Sequence, residues 1–240
     1  MSRWFALALL ATAVGCAQYQ PMRSEAELAH SYVAMGFEHV QLDQRRPARA
    51  SFREAIGLAP HHAQAYLGLA IVFERDGEVG LAEDYFLQAL NIENQAAYAH
   101  AYAQFLVTQQ RLDEAVEFFQ SAASDVDYRG RAMAFEDLAM VQLSQGQSEL
   151  AQFAFDRAAR LDHTLPTPHW HLARMALASG DVERSYAHYS MLLNLIEDGV
   201  LDHTPQTLEL GIELSMARSD VMMHESLQKQ LEHFDPTQYR

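Results

Sequence analysis

The feature that most constrains this chain is a pair of short amphipathic helical patterns that recurs in register. Residues 63–96 read AQAYLGLAIVFERDGEVGLAEDYFLQALNIENQA. Tyr66, Leu69, Ala70 and Phe73 recur at three- and four-residue spacing, and Ala82, Phe86, Ala89 and Leu90 repeat that spacing in the second half, the signature of two helices with one apolar face each. Gly77 between them supplies the left-handed backbone that ends the first helix. Ala70 and Ala82 are small enough to let two antiparallel helices approach closely. A pair this short cannot bury its own apolar face, so the pattern predicts similar neighbours on either side.

Those neighbours are present. A first unit from Ala29 has Tyr32, Met35, Gly36, Ala48, Phe52, Ala55 and Pro60, and a third from Ala96 has Tyr102, Ala103, Leu106, Ala115, Phe119 and Ala122. A fourth from Ala132 has Phe135, Leu138, Ala139, Gly146, Ala151, Phe155 and Ala158, and a fifth from Pro166 has Leu172, Ala173, Gly180, Ser185, Tyr189 and Leu192. A sixth from Pro205 keeps Leu208, Gly211, Ile212, Leu231 and Pro236 but places His224 where a small residue belongs. The pattern resembles the tetratricopeptide repeat, whose period is about 34 residues. The expected fold is all-α, a right-handed superhelical solenoid of six helix-turn-helix repeats starting near residues 29, 63, 96, 132, 166 and 205. Because each unit touches mainly its neighbours, residues 29–240 form one such domain rather than two.

The N-terminus reads as a targeting segment. Arg3 precedes an apolar run from Trp4 to Val14, shorter than the roughly 20 residues that a spanning helix needs. It ends in Ala13-Val14-Gly15-Cys16, which resembles the lipobox of bacterial lipoprotein precursors, with Ala13 where leucine is usual. That resemblance implies cleavage of residues 1–15 and lipidation of Cys16, with residues 16–28 as a lipidated start and short tether. An ordinary signal peptide and a buried apolar helix are the competing readings. Cys16 is the only cysteine, so no disulfide within the chain and no multi-cysteine metal site can form. One acyl chain gives only marginal membrane residence and stable anchoring takes two, which an acylated lipoprotein cysteine would carry. Ala17 follows in place of the aspartate that commonly retains lipoproteins in the inner membrane, so the resemblance implies an outer-membrane, periplasm-facing location.

Charge narrows the partners. The chain has 32 acidic against 17 basic residues, a net charge of -15. Loss of residues 1–15 removes Arg3 and no acid, leaving -16. Nucleic acid as a partner calls for a basic face, so it is excluded. Adhesion to anionic lipid by charge is excluded on the same ground, and the membrane is reached through the anchor at Cys16. The acidic residues read as a solvated convex face.

Two junctions are longer than the period allows, residues 121–130 and 198–205. Together with the third and sixth units they carry a closer resemblance. Ala101-Tyr102-Ala103-Gln104-Phe105-Leu106 is similar to the Asn-Tyr-Gly-x-Phe-Leu element of the PilF/PilW family, the tetratricopeptide lipoproteins of type IV pilus biogenesis. Asp125-Val126-Asp127-Tyr128 resembles its Asp-Pro-x-Tyr element, and Leu210-Gly211-Ile212 with Asp220 its Leu-Gly-Ile…Asp pattern. Ala101, Ala103 and Val126 depart from it. The resemblance implies a pilotin-like assembly factor whose partners are outer-membrane secretin subunits or another pilus assembly protein. A general periplasmic adaptor lipoprotein recruiting envelope enzymes is the alternative the same solenoid would serve.

Catalysis finds no support in the pattern. There are 12 histidines, but His169 and His171 point to different sides of a helix, His61-His62 falls in a turn between repeats, and His224-Glu225 lacks the second histidine of a zincin helix. His39 and His169 occupy packing positions. No phosphate loop and no nucleophile elbow occurs, so no catalytic residue, metal, cofactor or small-molecule substrate is expected. A binding surface is. Positions two, five, nine and twelve of each first helix form a stripe that in stacked repeats lines the concave face. It holds Val33, Phe37 and Val40, then Leu67 and Ile71, His100 and Val107, Met140 and Leu143, and Trp170 and Leu177. Glu209 and Glu213 make the sixth unit polar, as a terminal repeat requires. An apolar groove of this kind fits an amphipathic helix or an extended segment, with Phe37 and Ile71 as anchors.

Overall fold

The computed structural model describes residues 24–234; Cys16, the lipobox and the signal segment lie outside them. The described residues hold twelve α-helices and no strand. They are α1 (Glu25–Gln41), α2 (Arg45–Leu58), α3 (Ala63–Arg75), α4 (Val79–Ile92), α5 (Ala96–Thr108), α6 (Leu112–Ser124), α7 (Arg131–Ser144), α8 (Ser148–Leu161), α9 (Pro166–Ala178), α10 (Val182–Glu197), α11 (Pro205–Arg218) and α12 (Val221–Glu232). Each odd helix packs on the even helix that follows it, and each even helix on the next odd one. None is long and apolar enough to cross a membrane.

The direction of curvature follows from which helices meet. First helices reach past their partners, α1 to α3, α5 to α7 and α9 to α11, whereas among the described residues no two second helices meet to that extent. The stack therefore bends with its first helices on the inner side.

Inside each unit the turn is closed by one residue with left-handed backbone. Gly77 fills that place at φ 78° in the second unit, and its amide bonds the carbonyl of Glu74. In the first, third and sixth units the same place is held by Asp43, Gln110 and Ser219 at φ 52°, 60° and 56°, a conformation costly for a residue with a Cβ. Small residues set how closely helices pack. Phe52 is fully buried between Gly36 of α1 and Gly68 of α3, and a Cβ at either glycine would run into its ring. Ala82 and Ala115, expected at helix crossings, are also fully buried. The sixth unit makes a complementary exchange: bulky His224 on α12 faces small Ser215 on α11, Nδ1 to Oγ at 3.1 Å.

The first helix departs from the expected register. It starts at Glu25, so residues 25–28, expected in the tether, form its first turn. Ser24 Oγ accepts from the Glu27 amide while the Glu27 carboxylate accepts from the Ser24 amide, a reciprocal cap that fixes the start.

Candidate functional site

The inner stripe is apolar at its N-terminal end. Phe37 is half-buried, its ring edge-on to Phe52 at 5.1 Å. Leu67 and Ile71 are half-buried beside it, packed on the main core, and Val107 and Leu143 lie against the same core further along. Met140 is 42% exposed. Trp170 and Leu177 are half-buried on a second cluster formed by α9, α10 and α11, with the Arg174 guanidinium 5.5 Å from the centre of the Trp170 ring.

Val33, Val40 and His100 do not belong to this surface. Val33 and Val40 are buried in the core of the first two units, because the next unit closes over them. His100 is only 4% exposed. Its Nδ1 lies 2.8 Å from the Tyr128 hydroxyl and its Nε2 2.8 Å from Asp137 Oδ2, which also accepts from Gln104 Nε2 at 2.9 Å. A carboxylate only accepts here, so Nε2 carries the hydrogen toward Asp137. His100 thus ties the long junction after α6 to α7 and offers nothing to a partner. Tyr128 titrates above its ordinary range, first because it is buried and then because of the Asp137 charge.

Two carboxylates, Glu74 and Glu136, belong to the same stripe and are not among the residues expected to form the groove. Glu74 and Glu136 both titrate above the usual carboxylate range, chiefly through burial, partly offset by hydrogen bonds to Thr108 and Thr167 of the following units. They stand at positions twelve and five, so the register itself marks them. The inner face therefore alternates apolar side chains with half-buried acids. Glu209 and Glu213 of the sixth unit are exposed, with Glu213 3.6 Å from Arg174.

The histidines are absorbed into packing. His169 is buried, with Nδ1 3.2 Å from His188 Nδ1, and His171 stacks on Phe155 at 4.6 Å between ring centres. His39 is half-buried and bonds Gln44. His62, expected in an exposed turn, is instead half-buried against His30, with ring nitrogens 2.5 Å apart. Among the described residues no group of three histidine or acidic side chains is placed to hold a metal ion.

Comparison with known proteins agrees with this architecture. The tetratricopeptide-repeat family profile matches residues 33–101. The type IV pilus assembly protein PilF of Pseudomonas aeruginosa strain PAO1 is 28% identical over 198 residues, covering 81% of this chain and 75% of that one. A solved structure of Pseudomonas aeruginosa PilF superposes with a TM-score of 0.78 at 25% identity, covering 89% of this chain and 95% of the other. The chain is similar to PilF in both sequence and fold. PilW, a widely conserved type IV pilus biogenesis factor, shares the fold at a TM-score of 0.68 and 21% identity, over 89% of this chain and 96% of its own. The likeness to PilF thus extends well beyond the profile match.

Proposed function

We propose that this protein is an outer-membrane lipoprotein, anchored at Cys16 and facing the periplasm, that acts in type IV pilus biogenesis. In this reading it binds secretin subunits, or another pilus assembly protein, and promotes secretin localisation and multimerisation. The observation that carries the reading is the similarity to PilF along 81% of the chain. The inner face is the proposed binding surface, with Phe37, Leu67 and Ile71 as apolar anchors and Met140, Leu143 and Trp170 continuing them. Half-buried Glu74 and Glu136 favour a segment that interleaves apolar side chains with basic groups, since a cation would relieve their burial.

Deletion of the gene, followed by a blot of unboiled membranes for secretin multimers, tests the reading. Multimers should disappear and return with the wild-type gene; undiminished multimers in the deletion strain overturn it. Phe37→Ala with Ile71→Ala should restore a folded protein but not the multimers. Alanine serves better than glutamate here, because both side chains lean on the core and a charge would unfold as well as unbind. Cys16→Ser should leave a folded protein that no longer fractionates with outer membranes; continued outer-membrane fractionation and lipid labelling would remove the anchor from the reading.

A further inference from the structure

The outer face carries a second groove that the pilus reading does not use. It lies between α6 and α8 with α7 as its floor, and encloses about 360 Å³. Six residues separate α6 from α7, against three between α4 and α5, and the groove opens at this longer connection. Leu150 and Phe153 form one wall and are 54% and 62% exposed, large apolar side chains left in water on the face of a regular helix.

The groove is cationic. The guanidiniums of Arg131 and Arg157 lie 5.7 and 5.3 Å from the centre of the same ring, Phe135. Arg131 Nε donates to the Ala123 carbonyl at 2.8 Å, and neither arginine meets a carboxylate among the described residues. Nearby Arg160 and Arg184 both reach Asp156. Two arginines without a counter-charge therefore converge on one groove in a chain of net charge -15. At the far end of the floor Gln142 is 4% exposed and its Oε1 has no hydrogen-bond partner. A buried acceptor left unpaired is costly, and a rotation of the Gln142 amide into the groove would let it accept a backbone N–H from outside.

From this arrangement we infer that the α6–α8 groove is a docking site for an extended peptide segment of a partner protein that carries a large apolar side chain next to a carboxylate. The apolar side chain lies against Leu150 and Phe153, the carboxylate bridges Arg131 and Arg157, and Gln142 Oε1, turned into the groove, accepts a main-chain N–H. Arginine forks favour planar carboxylates, and an apolar anchor in a pocket beside them is the usual composition of a strong contact. This site faces away from the inner stripe, so it stands or falls independently of the proposed pilus role.

The probe is the peptide acetyl-Ser-Asp-Phe-Glu-Leu-Ser-amide, titrated into the full chain at low salt with backbone amide shifts as the readout, beside a counterpart with Asn and Gln for its acids. The acidic peptide should bind saturably below about 1 mM and shift amides of α6, α7 and α8. The neutral one should bind about fivefold more weakly or worse. Arg157→Gln should remove that difference, Arg157→Lys should keep part of it, and Phe153→Ala should weaken both peptides. Phe37→Ala with Ile71→Ala should change none of this. Equal binding of the two peptides, no saturable binding, displacement by inorganic phosphate at equal ionic strength, or an unaltered Arg157→Gln titration overturns the proposal. So does a chain truncated after Phe234 whose α6–α8 amides move without any peptide, because the occupant would then be the chain's own end.

Discussion

The first three units and the last three use the same repeat but secure it differently. Between the first and second, Arg49 Nη1 meets Asp76 Oδ2 at 2.7 Å and Arg75 donates to the Val40 carbonyl at 2.8 Å. Between the second and third, Glu83 accepts from both Arg111 and the Tyr102 hydroxyl. Burial and the Glu83 charge push Tyr102 up to about 12, so that hydroxyl remains a donor throughout the ordinary pH range. In the last three units the closest ion pairs between units are longer, 3.2 Å for Arg218–Glu183, 3.6 Å for Arg174–Glu213 and 3.8 Å for Arg184–Asp156. All four buried side-chain atoms that lack a partner among the described residues fall there as well: Gln142 Oε1, His169 Nε2, Trp170 Nε1 and Ser185 Oγ. An unpaired buried group costs about 1–3 kcal/mol. A solenoid's stability is close to a sum over units and their interfaces, so the difference places the weaker end at the C-terminus and the scaffolding end where the inner stripe is most apolar.

The largest test sets one register position in the two regions against itself. Ala82 is fully buried in the main core of the second unit, and overpacking such a site costs about 1–3 kcal/mol. Ala82→Leu should lower the melting temperature by several degrees. In the sixth unit the same position already holds His224, half-buried against Ser215, so His224→Ala should move it far less, as should a change at exposed Glu78. Equal shifts at Ala82 and His224 would mean the two ends are packed alike.

A change of pH sharpens the contrast. His188 is held down at about 4, mainly by burial and then by the His169 and Arg184 charges. His169 and His171 are lowered as well, burial again leading. Below the ordinary histidine value of about 6.5 the unfolded chain takes up protons that the folded α9–α10 pair refuses. The stability held by these neutral imidazoles is therefore complete above that value and declines as pH falls toward 4. Hydrogen exchange at pH 7.5 and 5.5, corrected for intrinsic rates, should show protection lost first in α9 and α10 while α5 and α6 hold. Uniform loss along the chain would erase the distinction. His62 in the first half is lowered too, by burial and then His30, but it stands at the end of a helix rather than between two.

How much of this the amino-acid sequence discloses depends on the kind of contact. Spacing alone places Ala82, Ala115 and Phe52 in the core, because a helix face is a matter of period. It does not say how far the next unit closes over a stripe, and so Val33, Val40 and His100 read as surface while they are buried. The reciprocal cap of Ser24 and Glu27 is written in the residues as Ser-x-x-Glu and marks the true start of α1, three residues apart in the chain and therefore readable. The cluster of Arg131, Phe135 and Arg157 is not readable in that way. Its members come from two helices, α7 and α8, and lie far apart in the chain, and a charged convex face gives no sign that two of its cations lack a counter-charge.

The smallest test concerns the turns within each unit, where the two regions trade places. The third unit closes its turn with Gln110 at φ 60°, the fourth with Gly146 at φ 74°. Left-handed backbone costs a residue with a Cβ about 1–2 kcal/mol, while replacing it with glycine loosens the unfolded chain by about 0.4–1 kcal/mol. Gln110→Gly should therefore stabilise the third unit by roughly 0.5 kcal/mol, a rise of one or two degrees in a chain of this size. Gly146→Ala should destabilise the fourth by a similar amount, since a Cβ there meets open space and only the backbone strain is added. Differential scanning calorimetry of the two variants reads both signs. If Gln110→Gly raises the melting temperature and Gly146→Ala lowers it, the sturdier N-terminal half owes its advantage to interfaces between units, because its turn chemistry is the poorer of the two. A fall with Gln110→Gly would instead give the glutamine side chain a stabilising role in its turn, and the contrast between the halves would then have to include the turns as well.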